Sequence, residues 1–154
     1  MSNISLETPI GVFTVDEKDK IVFKNGLYAF EDFRNAYIVS QDEHQTFEYL
    51  IAEGFPQTLF VIIKPYLFKK DYILDIREED LKEIGISNQE EAEEFLEVYS
   101  IVTMSEDSLT ANLLGPVIIN MKEKIGKQAL AANKGYHTKH DIQEEFKKTY
   151  SETN

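Results

Sequence analysis

At 154 residues, 42% hydrophobic and 12% aromatic, the chain has the apolar mass for one domain with its own core and too little length for two. It contains no cysteine, which excludes disulfides, thiolate metal sites and cysteine nucleophiles. The formal charge of −12 is concentrated, because residues 75–97 hold ten acids against Arg77 and Lys82, a net of −8. Direct nucleic-acid binding is therefore disfavoured, and a basic protein is the more natural partner.

Ile4–Thr8 and Gly11–Val15 flank Pro9-Ile10, and a proline at the second turn position with a glycine at the fourth predicts a β-hairpin. After the charged connection Asp16–Lys20, Ile21–Phe23 resumes a strand that stops at Asn25-Gly26, a pair suited to positive φ. Leu27, Tyr28, Phe30 and Phe33 then gather around the acids Glu31 and Asp32. Two readings of this cluster stand: a cap over one end of the domain, the commoner role of aromatic residues, or an aromatic anchor on an interface. Ala36–Val39 and Phe47–Ile51 read as strands, with His44 alone in a polar loop between them. Along the second, Phe47, Tyr49 and Ile51 share one face while Glu48 and Leu50 share the other, which suggests a partly open apolar patch at Leu50.

Leu59–Ile63 is apolar on both faces and predicts a central strand. It is also the longest uninterrupted apolar run, too short to span a bilayer, and the first residues carry no basic region followed by an apolar core. A cytoplasmic protein without membrane contact is expected. Pro65 ends the strand, and Tyr66, Leu67 and Phe68 form an apolar-aromatic knot on a loop where a rim or groove could lie. Tyr72–Ile76 is a candidate strand. Glu78–Ile84, stopped by Gly85, and Asn88–Phe95, capped by Asn88, predict two short acidic helices.

Val98–Met104 is rich in β-formers and leads through the polar turn Ser105–Ser108 into Leu109–Gln128, a long stretch of low charge interrupted by Gly115-Pro116. That stretch reads as a meander of three strands, with Met121–Lys124 and Gly126 in the second turn and the last strand at Gln128–Ala131. Asn112 and Asn120 sit in apolar strand contexts. There a carboxamide is costly unless its hydrogen bonds are met, so the two are expected to tie turns to backbone; the alternative is that Asn112 faces a partner. The domain is expected to end at 132. Residues 133–154 are expected as a mobile charged tail, in which Ile142, Phe146 and Tyr150 recur with the spacing of an amphipathic helix.

The chemistry expected of the chain is none. Glycine spacings match no phosphate-binding loop and no serine sits on a nucleophile elbow. His137, His140 and Asp141 would line up metal ligands only on a helix and lack supporting groups around them. Glu31-Asp32 and Glu106-Asp107 are pairs of carboxylates that a general acid and base would need, though a solvated turn explains each as well. No cofactor or metal is expected. A small β-barrel enzyme using such a pair is the alternative from another class, and a general export chaperone is a third.

The order of several weak motifs is more specific than any one of them. Ile101-Val102-Thr103, Glu106-Asp107, Thr110-Ala111-Asn112-Leu113-Leu114, Pro116, Ile119-Asn120 and Gly126-x-Gln128 resemble the signature of the bacterial flagellar assembly factor FliW family. Thr8, Gly11, Val15-Asp16-Glu17, Asp19, Ile21, Phe23, Gly26-Leu27 and Phe30-Glu31-Asp32 resemble its opening, so the likeness runs over residues 6–131. Lys24 and Tyr28 stand where that family commonly has prolines, Ala29 for a glycine, Ser105 for a proline and Gly115 for an alanine. The resemblance implies a closed barrel. The expected fold is therefore mainly β, a single-domain antiparallel β-barrel-like sheet decorated by two short α-helices. The resemblance further implies two partners, flagellin near its C-terminal end and the basic translational repressor CsrA; separately, a monomer is expected. From the residues themselves, Glu31, Asp32, Glu106 and Asp107 are candidate acidic contacts, Phe30, Leu50, Tyr66 and Phe68 candidate apolar anchors, and Asn112 a candidate polar contact.

Overall fold

A computed structural model describes residues 2–41 and 46–152, the side chains of 149–152 excepted, so His44 and the Tyr150 side chain lie outside the described residues. The chain opens with β1 (Asn3–Thr8) and β2 (Gly11–Asp16), paired through Thr8↔Gly11 across Pro9-Ile10 as the turn residues predict. Next come β3 (Ile21–Phe23), β4 (Asn35–Val39), β5 (Phe47–Ala52) and β6 (Phe60–Ile63). Two short helices follow, α1 (Glu78–Glu83) and α2 (Gln89–Phe95), and Asn88 caps the second by accepting from the Glu91 N–H at 2.9 Å. The chain then runs through β7 (Leu96–Met104), β8 (Leu109–Ala111), β9 (Val117–Asn120), β10 (Ile125–Gln128), β11 (His140–Asp141) and α3 (Ile142–Glu152).

Strands β7, β6, β5, β4, β3, β10 and β9 join in that order, and β9 returns to β7, which closes a ring of seven. A ring with an odd number of strands cannot alternate direction throughout. The mismatch falls at β3 and β10, which pair in parallel through Ile125↔Val22 and Gly126↔Phe23, so the expected antiparallel barrel holds except at this seam.

Closure depends on the length of β7. Its first half, Leu96–Tyr99, pairs with β9, and its second half, Val102–Met104, pairs with β8. The Leu109–Gln128 stretch is thus no three-strand meander: β8 and β9 lie end to end along one strand, and only β9 and β10 form a hairpin. All four residues of β9 are buried, which a strand apolar on both faces requires and an edge of a meander would not provide. Gly126 lies within β10 rather than in the preceding turn, and that turn is held by Asn120, whose Oδ1 accepts from the Lys122 and Glu123 N–H groups. The segment Tyr72–Ile76 forms no strand. It bonds instead to the chain after the barrel, through the Ala132 N–H to the Asp75 carbonyl at 2.7 Å and the Ile73 N–H to the Tyr136 hydroxyl at 3.0 Å.

The barrel is filled by Ile21, Phe23, Ala36, Leu50, Ala52, Ile62, Tyr99, Val117 and Ile119, with Leu27 and Phe33 closing one end. Its outer wall is covered in three places. The β1–β2 hairpin lies over Tyr37 and Ile51, α1 and α2 lie over Ile118, and the C-terminal segment lies over Ile63, Val102 and Leu113. Apolar residues on both faces of β6 follow directly from this two-sided burial.

Within the stretch 133–154, expected as a tail apart from a domain ending at 132, the segment from Tyr136 to Phe146 is seated on the barrel. β11 adds to the free edge of β8 through His140↔Ala111, and Ile142 is 0% exposed among Phe68, Val102 and Leu113. The charged composition hid this, because two apolar side chains one helical turn apart are enough to dock a short helix when a sheet edge holds its first residues.

Candidate protein-binding surface

The loop after β3 builds one end of the barrel. Gly26 has φ +65 and a Cβ there would lie 2.3 Å from the Phe30 carbonyl oxygen, so only glycine lets the chain turn this tightly. The turn sends Leu27 and Phe33 inward and leaves Tyr28 and Phe30 outside. Phe30 is 38% exposed and packs edge-on to Phe60, with ring centroids 5.0 Å apart. Glu31 and Asp32 follow it into solvent. Gln128 ties this loop to the barrel: its Oε1 accepts from the Tyr28 N–H at 2.9 Å, and its Nε2 donates to the Gly115 carbonyl at 2.9 Å. Asn112 in turn accepts from the Gly115 N–H at 2.8 Å. The turn-tying role is therefore filled, and Asn112 also lines a cavity of about 280 Å³ with Tyr28, Phe60, Ile101 and Thr103.

The candidate anchors do not form one surface. Leu50 is 0% exposed inside the barrel and Phe68 is 1% exposed beneath the C-terminal segment, so neither can touch a partner on this surface. Alternation along β5 separates two faces but does not say which one the ring encloses. Tyr66 is 50% exposed, yet it follows the end of β6 while Phe30 packs at its start, which places the two at opposite ends of the barrel.

The open apolar face lies on the outer wall, and the sequence reading missed it. Phe47, Tyr49, Val61, Met104 and Leu109 line a groove of about 400 Å³ between the N-terminal hairpin and the C-terminal segment. Phe13 rests on Tyr49 at 6.3 Å on one side, and Val61 and Leu109 also pack in the cluster that holds Ile142 on the other. Glu106 and Asp107 are the central residues of the turn joining Met104 to Leu109, a turn closed by the Ser105 N–H to the Ser108 carbonyl at 2.9 Å. Two of the candidate acids therefore stand at one end of the groove. The signal that could have found it is the Phe47-x-Tyr49 alternation, read with the opposite face inward.

A second character belongs to α1 and α2, where Glu78, Glu79, Glu83, Glu90, Glu93 and Glu94 are all exposed. Beneath them Asp80 is buried. Burial alone would raise its carboxyl, but Lys127 at 2.7 Å and Arg77 at 3.1 Å hold it below the usual carboxylate range. At the mouth of the barrel opposite Phe30, Glu48 is pushed up chiefly by burial, against the pull of Lys64 and the Tyr99 hydroxyl. His137 and His140 lie on no helix. His140 shares Nε2 with the Glu145 carboxylate at 2.8 Å, and among the described residues no three His, Asp or Glu side chains converge as a metal site requires.

The FliW protein family matches residues 5–142 of the chain. The chain belongs to the FliW family. It is 35% identical over 147 residues to the flagellar assembly factor FliW of Alkaliphilus metalliredigens, covering 94% of this chain and 88% of that protein. It is 37% identical over 144 residues to that of Thermoanaerobacter pseudethanolicus, covering 92% and 93%. A crystal structure of the flagellar assembly factor FliW superposes with a TM-score of 0.78 at 27% identity, over 92% of this chain and 96% of that one. The FliW match runs past residue 132 and takes in β11 and Ile142, in keeping with the seating of that segment on the barrel. Among the described residues, no helix is long and apolar enough to cross a membrane.

Proposed function

We propose that the chain is a flagellar assembly factor that works by exchanging partners and performs no chemistry. It binds flagellin near the C-terminal end and binds the translational repressor CsrA. Unsecreted flagellin occupies it and leaves CsrA free to silence flagellin mRNA; once flagellin is exported, the free protein takes up CsrA in the cytoplasm. The observation that carries this reading is the pairing of two unlike surfaces on one barrel, the apolar outer-wall groove and the acid-rich helices α1 and α2. An acidic face suits a basic repressor, and an apolar groove suits a helix end. The experiment is a calorimetric titration with purified flagellin, then with CsrA, then with CsrA after saturation by flagellin. Tight binding to each alone with loss of CsrA binding after saturation is the expected result. Absence of heat with both partners at tens of micromolar, where a specific complex should still register, rules the reading out.

A further inference from the structure

We infer that the outer-wall groove is the seat of a partner's amphipathic helix, which lays apolar side chains spaced i and i+4 on Phe47, Tyr49, Val61, Met104 and Leu109 and sets a basic residue against Glu106 and Asp107. The inference rests on the partner-exchange reading, in which flagellin brings the helix, and it assigns that partner to a surface.

Three features of the wall support it. Apart from Gln41, which accepts from the Tyr49 hydroxyl, the lining is apolar, with Met104 at 66% exposed, and large apolar side chains clustered at a surface usually mark a contact site. The same wall already seats a helix of this chain: α3 docks through Ile142 and Phe146, four residues apart, onto a cluster that also includes Phe47, Val61 and Leu109. The groove is the continuation of that seat toward the N-terminal hairpin, so a second helix meets the same chemistry there. Charge sets the direction, since the turn at the Met104–Leu109 end presents two exposed carboxylates, which favour a basic side chain or the positive N-terminal end of a helix.

Met104→Glu places a charge in the groove, and E106K combined with D107K reverses its rim. All three positions are exposed, so both variants are expected to fold; unchanged thermal unfolding checks this. Ile10→Glu, an exposed apolar position that is not part of the groove lining, is the control. Titrating each with purified flagellin, the expected result is at least tenfold weaker binding for Met104→Glu, as for a central anchor, and wild-type binding for Ile10→Glu. The rim reversal sets like charges against each other, so it is expected to weaken binding at low salt and to invert the salt dependence of this contact. Wild-type flagellin affinity in both groove variants overturns the inference while leaving the partner exchange intact. Loss of CsrA binding in place of flagellin binding overturns the assigned occupant. A wild-type dimer that Met104→Glu converts to monomer overturns it in favour of a second copy. A wild-type protein that binds neither partner defeats the functional reading itself, a result distinct from the other three.

Discussion

Replacing Gly126 by alanine tests how the barrel closes. Gly126 lies in β10 at the parallel seam, opposite Phe23, and a Cβ there would stand 2.7 Å from both Cε1 and Cζ of the Phe23 ring. Its φ is not positive, so the requirement is for space and not for an unusual backbone. Phe23 is fully buried in the barrel and cannot retreat without displacing its neighbours. Overpacking of this kind costs about 1–3 kcal/mol. Restricting the unfolded chain by adding a Cβ returns about 0.4–1 kcal/mol, leaving a net loss of roughly 1–2 kcal/mol. For a chain of this size that lowers Tm by about 2–8 °C. The assay is thermal and urea unfolding of Gly126→Ala, Phe23→Leu and the double variant. Leucine at 23 withdraws the ring edge, so the double variant should be less destabilised than the sum of the singles by about 1 kcal/mol, the size expected for residues in contact. A Gly126→Ala protein with wild-type Tm, or strictly additive losses, would refute the close approach at the seam.

Three further outcomes are expected. Ile142→Ala should lower stability by about 2–4 kcal/mol in denaturant unfolding, since it empties a buried seat on the barrel; an unchanged midpoint would mean that the C-terminal segment does not dock. Ala29 has φ +67, a left-handed conformation that costs a non-glycine residue about 1–2 kcal/mol, so Ala29→Gly should stabilise by about 0.5–1 kcal/mol after the added freedom of the unfolded chain is counted, and a fall in Tm would contradict this. Glu48 has its pKa raised above the ordinary 4.5 by burial, so the stability tied to its neutral form is fully present below about that pH and is lost as pH rises through the shifted value. Glu48→Gln should therefore raise Tm relative to the parent more at pH 7 than at pH 4, and equal differences at the two pH values would count against the shift.

Local signals in the sequence were sufficient where one stretch of chain decides the outcome. The Pro9–Gly11 hairpin, the Asn88 cap and the two short helices all formed as their residues predict, because turn and cap chemistry act over three or four residues. Leu59–Ile63 announced a strand buried on both faces for the same reason. The candidate site was less visible. Glu106 and Asp107 sit in the turn that joins two of the groove's lining residues, but Leu50 and Phe68 are core, and all five apolar residues lining the groove, Phe47, Tyr49, Val61, Met104 and Leu109, read in the sequence only as parts of strands. An apolar side chain in a strand carries no mark of whether a hairpin, a helix or solvent will face it.

By itself, the sequence determined the class of the protein: one cysteine-free acidic domain, mainly β, with the motif order of the FliW family. Tertiary structure alone decided which face of β5 is enclosed, where the odd ring places its parallel seam, and that β8 and β9 share one long partner. It also decided that the C-terminal segment is part of the body. The physical reason is common to all four. Each depends on contacts between residues far apart in the chain, and period-two alternation or charge content describes a segment without naming what it will meet.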